Sequence, residues 1–486
     1  MLSPKEVCKV VMNHKHNLAI NSKVLDLLDG CLERYLLESL QRQLSPRAYS
    51  YAKERIVPIN IFPRYVEKLT SIYQTGVVRD VQGGSESDTQ LLGWYENQFD
   101  VDSTMHVANK LYNACGASLI HPYMSPIGPR LRYIQNDRFV VHSEDPINPT
   151  TPTTVILIAG KDSMGMEVYW VYDKESFRVI KSDETIDFNA MAQLGVPDGV
   201  NIYGVLPFVY VNKSPLRLVP EPDMDSIRMT EYVPIALTDL NLAAMFSSFA
   251  ITYVINGTVE NPVKSPNAMW FLKSDDPEKD VEIGTLKPEV DYADVLNLIQ
   301  SEMSLWLGSK GIKSQSVGNL TQDNYASGIA KIIDEADTYD VRQQQTVFFG
   351  KAETQLWELV FRHMHPVWSA SMSVENRSQF SPAAEVDVKF AVVPVGTQRS
   401  QLIADQKEEY AAGFTTRRRA IASLNPQMTM SQVDELIHEI EEEHSVDVVE
   451  KAPVNDNTIQ RLNNGDEMAT SEDTSSDSNS GPGYQS

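Results

Sequence analysis

Cysteine is scarce. Cys8, Cys31 and Cys115 are too few and too widely spaced, in a chain of 486 residues, for a disulfide framework or a paired-cysteine metal knuckle. Positive charge is also in deficit: 66 Asp and Glu outnumber 42 Lys and Arg, a formal charge of −24. A protein that grips nucleic acid over a broad surface does so by neutralising phosphates with Lys and Arg, so that class is disfavoured. No apolar run reaches the roughly 20 residues of a membrane-spanning helix. The longest, Leu240 to Ile255, is broken by Asn241, Ser247, Ser248 and Thr252. The opening residues lack the basic-then-apolar layout of a secretion signal. The expectation is a soluble, acidic chain made in the cytosol.

Catalytic and metal motifs are missing too. There is no GxSxG, no HExxH and no GxGxxG after a strand. Gly160-Lys161-Asp162-Ser163 has the lysine of a phosphate loop but not the upstream glycine, and it joins two strands where the cradle needs a following helix. A hairpin turn is expected there. His363 and His365 lie about 200° apart on a helix and cannot share a metal unless the helix ends between them. Asn256-Gly-Thr258 fits a glycosylation sequon but is expected to be a turn. His14 and His16 are expected near a poorly packed N-terminus, and Glu439 to His444 on a solvated face. Neither an enzyme nor a cofactor or metal site is expected.

What is present is ample core material: 42% of residues are apolar. At about 150 residues per domain, two to four modules are expected. Leu25, Leu28, Leu32, Tyr35 and Leu36 make residues 22–44 an amphipathic helix. Ser45-Pro46 caps and opens a second helix to Arg55, and a third is expected from Pro63 to about Thr75. Residues 83–87 are a loop, and helix returns from Ser103 to Ala114. From Gly116 to Val219 the period changes to 2, with strands at 139–142, 153–158, 167–172, 177–180 and 208–211. Helices are then expected at Leu237–Ile255, whose apolar residues run nearly all round, and at Asp291–Leu307. A very long helix from Ser327 to about His365 would extend about 58 Å at 1.5 Å per residue, and Gly350 could let it bend. A strand at 386–393 and helices at 397–412, 416–424 and 431–443 follow, with Gly413 stopping the first. Residues 452–486 are rich in Asn, Ser, Asp and Gly, the composition of a disordered acidic tail.

The order of these segments resembles that of the portal proteins of tailed bacteriophages, the ring-shaped head–tail connectors. The resemblance is carried by Leu206–Asn212 and Leu237–Asn241, by Asp291 through Gly311-Ile312, and by Ala326–Ala330 with Arg342 and Gln343–Gln345. Tyr410–Thr416 and Leu436–Ile440 complete it. It implies an α+β portal-like fold, mainly helical with a β-rich wing. Its parts would be an N-terminal helical part of the wing (1–115), β-rich wing (116–236), first stem helix (237–256), clip (257–290), second stem helix (291–308), tunnel loop (309–325), long helix (326–366), wing return (367–412), helical crown (413–451) and tail (452–486).

It further implies a closed ring of about 12 identical chains at one capsid vertex of the virion, made in the host cytoplasm and free of membrane. Double-stranded DNA would pass non-specifically through it during packaging and ejection. The implied partners are the terminase large subunit, a head–tail adaptor, and the major capsid and scaffolding proteins. A negative lumen would keep a sliding polyanion off its walls, with few local cations to touch it. Lys310 and Lys313, with Ser314 and Gln315, are the DNA-channel candidates, in a loop whose glycine and short polar residues suit mobility. Met269, Trp270 and Phe271 are the clip-interface candidates, since aromatics carry much of interface energy. The competing expectations are another virion adaptor or structural protein, and a cytosolic α+β hydrolase working through an acidic pair.

Overall fold

The computed structural model describes residues 1–74, 76–248, 251–255, 257–260, 271–274, 282–286, 292–312, 328–372, 378–390, 399–425, 428 and 432–441. The chain divides into two units, Met1–Thr429 and Met430–Ser486. The second contributes one described helix, residues 432–441; the expected tail lies outside the described residues. The first is a mixed α+β fold with several antiparallel sheets.

The N-terminus is helical from its fourth residue. Helix α1 (Pro4–Leu28) opens on a reciprocal cap: Glu6 N–H donates to Ser3 Oγ at 3.4 Å, and Ser3 N–H donates to the Glu6 carboxylate at 2.8 Å. His14 and His16 therefore sit on an ordered helix, a correction to the expectation of a loosely packed end. The helix expected over 22–44 is two: Gly30, at φ +87°, breaks it, and α2 (Leu32–Gln43) restarts. Ser45 caps α3 (Pro46–Ala52), and α4 (Phe62–Leu69) stops six residues short of Thr75. Thr70 ends α4 by turning its hydroxyl back to the Val66 carbonyl at 2.8 Å.

Strand β1 (Val77–Gln82) follows, then α5 (Glu86–Phe99) and α6 (Val101–Cys115), hinged at Asp100 with φ +46°. Neither β1 nor α5 is among the elements expected within 1–115. Two sheets are built next. In one, β2 (Ala117–Ser125) lies between β3 (Gly128–Ile134) and β8 (Val209–Asn212); in the other, β4 (Phe139–His142), β5 (Thr154–Lys161), β6 (Glu167–Tyr172) and β7 (Phe177–Lys181) meander in order. Short α7 (Phe188–Gln193) precedes β8. The 160–165 turn is the expected hairpin, with a bulge at Ile158/Gly160. Val7 and Val11 of α1 pack on this sheet with Ile156, Tyr169 and Val171, while Val24 and Leu27 enter a separate core with Tyr65, Trp306 and Leu307. One helix thus joins two cores.

Helix α8 runs Met224–Ser248, not 237–256. It starts earlier, running through Pro234; one turn on, Thr238 Oγ1 donates to the Pro234 carbonyl at 2.7 Å and accepts from Val57 N–H at 3.1 Å. It ends earlier because β-branched Ile251–Ile255 is a strand, β9, paired antiparallel with β12 (Glu282–Leu286). Between them β10 (Gly257–Glu260) pairs with β11 (Phe271–Ser274). Helix α9 (Tyr292–Ser309) matches expectation within two residues. The long helix expected over Ser327 to about His365 is α10 (Gly328–Glu358), continued through a π turn (Leu359–Met364) into α11 (His365–Trp368), three residues past the expected end. Strand β13 (Glu385–Phe390) pairs with β1, Val77 opposite Phe390. Helix α12 (Arg399–Ala411) ends as expected at Gly413, φ +77°, and α13 (Arg417–Leu424) is capped by Thr416. The largest core gathers α5, α6 and α10 around Tyr95, Phe99, Phe349 and Trp357.

Candidate functional site

The helix–strands–helix passage from α8 to α9 holds the expected interface residues, and its geometry begins at the base. Trp306 and Leu307, at the end of α9, are buried against Tyr65 and Val233, with the Tyr65 and Trp306 rings 5.0 Å apart. Burial pushes the Tyr65 phenol up to about 12. Gly311, at φ +70°, closes α9, and Ile312 N–H donates back to the Leu307 carbonyl at 2.9 Å. Lys310 Nζ then reaches both oxygens of Asp223 at 2.9 and 2.7 Å, so the end of α9 is tied to the residue just before α8. Burial works to raise the Asp223 carboxyl, but hydrogen bonds from Lys310 and Ser226 outweigh it and hold the group low. Higher up, Tyr292 Oη donates to the Ala243 carbonyl at 3.3 Å. Away from these ties the pair keeps apolar surface in solvent: Leu298 is 55% and Leu305 75% exposed, one above the other at i, i+7.

Of the DNA-channel candidates, Lys310 is the described one, and it is engaged with Asp223. Lys313, Ser314 and Gln315 lie outside the described residues, as do Met269 and Trp270. Phe271 opens β11 opposite Glu260.

A second constellation, missed in the sequence, seats α10. Arg79 of β1 and Glu353 of α10 form a buried pair, Nε to Oε2 at 2.6 Å and Nη2 to Oε1 at 3.0 Å. Tyr73 Oη donates to the same carboxylate at 2.7 Å, and Asp102 and Glu96 each accept one further guanidinium hydrogen. Burial disfavours the Arg79 charge, yet the Glu353 and Asp102 carboxylates more than offset it. One turn pair earlier, Gln345 exchanges hydrogen bonds with Asn113, and Asn109 donates to Gln345 at 2.8 Å. Further along, His365 Nε2 lies 2.8 Å from the Ser378 carbonyl, which can only accept, so Nε2 carries the proton and Nδ1 accepts from Tyr95 Oη at 2.8 Å. Desolvation lowers the His365 pKa, with the Ser378 carbonyl opposing it. Arg362 donates to the carbonyls of Ser381, Pro382 and Ala384. Asp88 joins the same loop, accepting from Ser381 N–H and Oγ while capping α5 through Ser85. The one available signal was Glu353 itself, a charge on the apolar stripe of Phe349, Leu356 and Val360.

Elsewhere the polar groups are structural. Asp162 accepts from Met164 and Met166 N–H and faces Lys181 at 3.2 Å, which makes the 160–165 turn self-contained. His121 is sealed between Phe208, stacked at 4.3 Å, and Arg132, which donates to Nδ1; desolvation and that cation keep it neutral, well below its ordinary pKa. Among the described residues no group of His, Cys, Asp and Glu is arranged to hold a metal, and no helix is long and apolar enough to cross a membrane.

No family model matches the chain, and no curated protein does. Among solved structures it is similar to a chain in the neck of a native GTA particle, computed with C12 symmetry. The TM-score is 0.39 and the identity 12%, over 75% of this chain and 89% of that one.

Proposed function

We propose that the chain is a portal-type head–tail connector, a non-enzymatic ring subunit through which double-stranded DNA is packaged and ejected at one vertex of a capsid. The observation that carries this reading is the succession of elements: α8, two small strand pairs, α9, and then a helix of 31 residues, α10, in the order the resemblance requires. The α8–α9 passage would be stem and clip, α10 the long helix, and the two sheets of 117–212 the wing. Two physical features support it. The α8–α9 pair is tied together near both ends but leaves Leu298 and Leu305 in solvent, surface that neighbouring copies in a closed heterologous ring would cover. The charge of −24 suits a conduit that must let a polyanion slide without trapping it.

In this reading Lys313, Ser314 and Gln315 touch the passing duplex, and Lys310 does so by exchanging Asp223 for phosphate. Residues 269–271 dock the terminase large subunit and later the adaptor. Electron microscopy of negatively stained purified protein tests the ring: an annulus of about twelve copies with an axial hole is expected, and small separate particles under assembly conditions would overturn it. Particles carrying Lys310→Ala with Lys313→Ala should then package or retain DNA less well; wild-type behaviour would remove the loop's role.

A further inference from the structure

A cleft of about 410 Å³ opens where the end of α6, the loop after β8 and the start of α8 meet. Its floor is close-packed: Gly116, at φ +82°, has Pro220 where a Cβ would stand, 3.1 Å away. Lys213 N–H donates to the Gly116 carbonyl at 2.9 Å, extending the β2–β8 ladder by one residue and fixing where Lys213 leaves the sheet. The next turn is held by its own side chains. Asn212 Oδ1 accepts from Ser214 N–H at 2.9 Å, and Ser214 Oγ accepts from Arg217 N–H at 3.1 Å. Ser214 Oγ keeps its own proton to donate.

The charges around the cleft do not balance. Arg217 pairs with Glu221, both well exposed, and Lys310 pairs with Asp223. Lys213 has no carboxylate at ion-pair distance among the described residues. Lys213 and Arg217 line the cleft with Glu221 and Asp223; because Asp223 is neutralised from behind by Lys310, Lys213 is left without a counter-charge of its own. We propose that this cleft is a phosphate-binding site, with Lys213 supplying the uncommitted charge, Ser214 a hydroxyl donor and Arg217 a guanidinium released from its solvent-exposed partner. Arg217 is free to turn because an exposed ion pair holds its partners weakly. Desolvation lowers the Lys213 pKa, with Asp223 opposing it and Lys310 adding to it, and a bound anion would offset the Lys310 repulsion.

The ligand is the phosphate group itself, whether of a small phosphate compound or of a nucleic-acid backbone. The inference stands apart from the ring reading, because every residue it uses belongs to one chain. Its test is calorimetric titration of the full chain with sodium phosphate at constant ionic strength, with sodium chloride as the blank. Saturable binding is expected. Lys213→Ala should weaken it by on the order of tenfold, since a charge-assisted contact is lost, whereas Lys213→Arg should retain it. Glu221→Gln should strengthen it by freeing Arg217. Thermal melting of the variants checks that each is folded. A short DNA duplex added as competitor separates the sources: competition assigns the site to backbone phosphate, and its absence to small phosphates. Equal phosphate binding by wild type and Lys213→Ala, or none by either, overturns the proposal, whatever assembly the same samples form.

Discussion

Helix α10 and the α8–α9 pair are both long and helical, yet they are finished differently. The second half of α10 has one face seated in the core: Phe349, Leu356 and Trp357 are buried, and its inward Glu353 and Gln345 meet dedicated partners from β1 and α6, while Val347 and Phe348 stay exposed. Among its described residues the α8–α9 pair buries Ile299, Trp306 and Leu307, while the neighbouring Leu298 and Leu305 of α9 stand in water. A buried charge with full hydrogen bonding fixes one position within a chain, and an uncovered leucine stripe is a surface waiting for another. The comparison separates what the subunit completes alone from what an assembly must complete.

The sharpest way to break that contrast is to attack the clamp. Arg79→Ala leaves Glu353 buried without its cation, and a loss of about 3–5 kcal/mol in chemical denaturation is expected. Replacing both, Arg79→Met with Glu353→Leu, should cost much less than the single change. A small penalty for Arg79→Ala would mean that the network is not what seats α10.

A smaller effect should come from acid. His121 and His365 both have folded-state pKa values lowered by desolvation. The unfolded chain therefore takes up protons first, at about pH 6.5, and stability present above that pH declines as pH falls below it, until the folded groups titrate. Each histidine adds a slope approaching about 1.4 kcal/mol per pH unit in that window. His121→Phe should flatten the pH dependence of the melting temperature; an unchanged profile would show that the ring is not held neutral.

Least visible in the isolated subunit is Leu305→Glu. Its fold stability should change by no more than about 0.5 kcal/mol, the usual range for an exposed site. Sedimentation should nonetheless show weakened self-association. Unaltered assembly would place the leucine stripe outside any interface.

How far the sequence could be read follows from where the partners lie. The β5–β6 hairpin was legible because alternation and turn residues sit within 20 positions of each other. The length of α10 was legible from helical spacing. Strand β1 was not, because it pairs with β13 some three hundred residues on, and Val77–Gln82 alone carries no sign of that. At the candidate site, Lys310 stood out as a cation in a glycine-bearing loop, but its Asp223 partner comes 87 residues earlier. Charge in a loop is local information, and who neutralises it is not.

The π turn at Leu359–Met364 has one further consequence. Leu356, Val360, Met364 and Trp368 are spaced by four, and on a regular helix each step of four drifts about 40° around the axis. By Trp368 that drift would total about 120°, enough to swing the indole off the Tyr203 hydroxyl that now accepts its N–H at 3.0 Å. The wider coil cancels the precession and keeps all four side chains in file. Regular α-turns over the same number of residues would turn its far end away, whereas deleting one residue from that stretch would let the helix close into regular turns with Trp368 facing nearly as it does now.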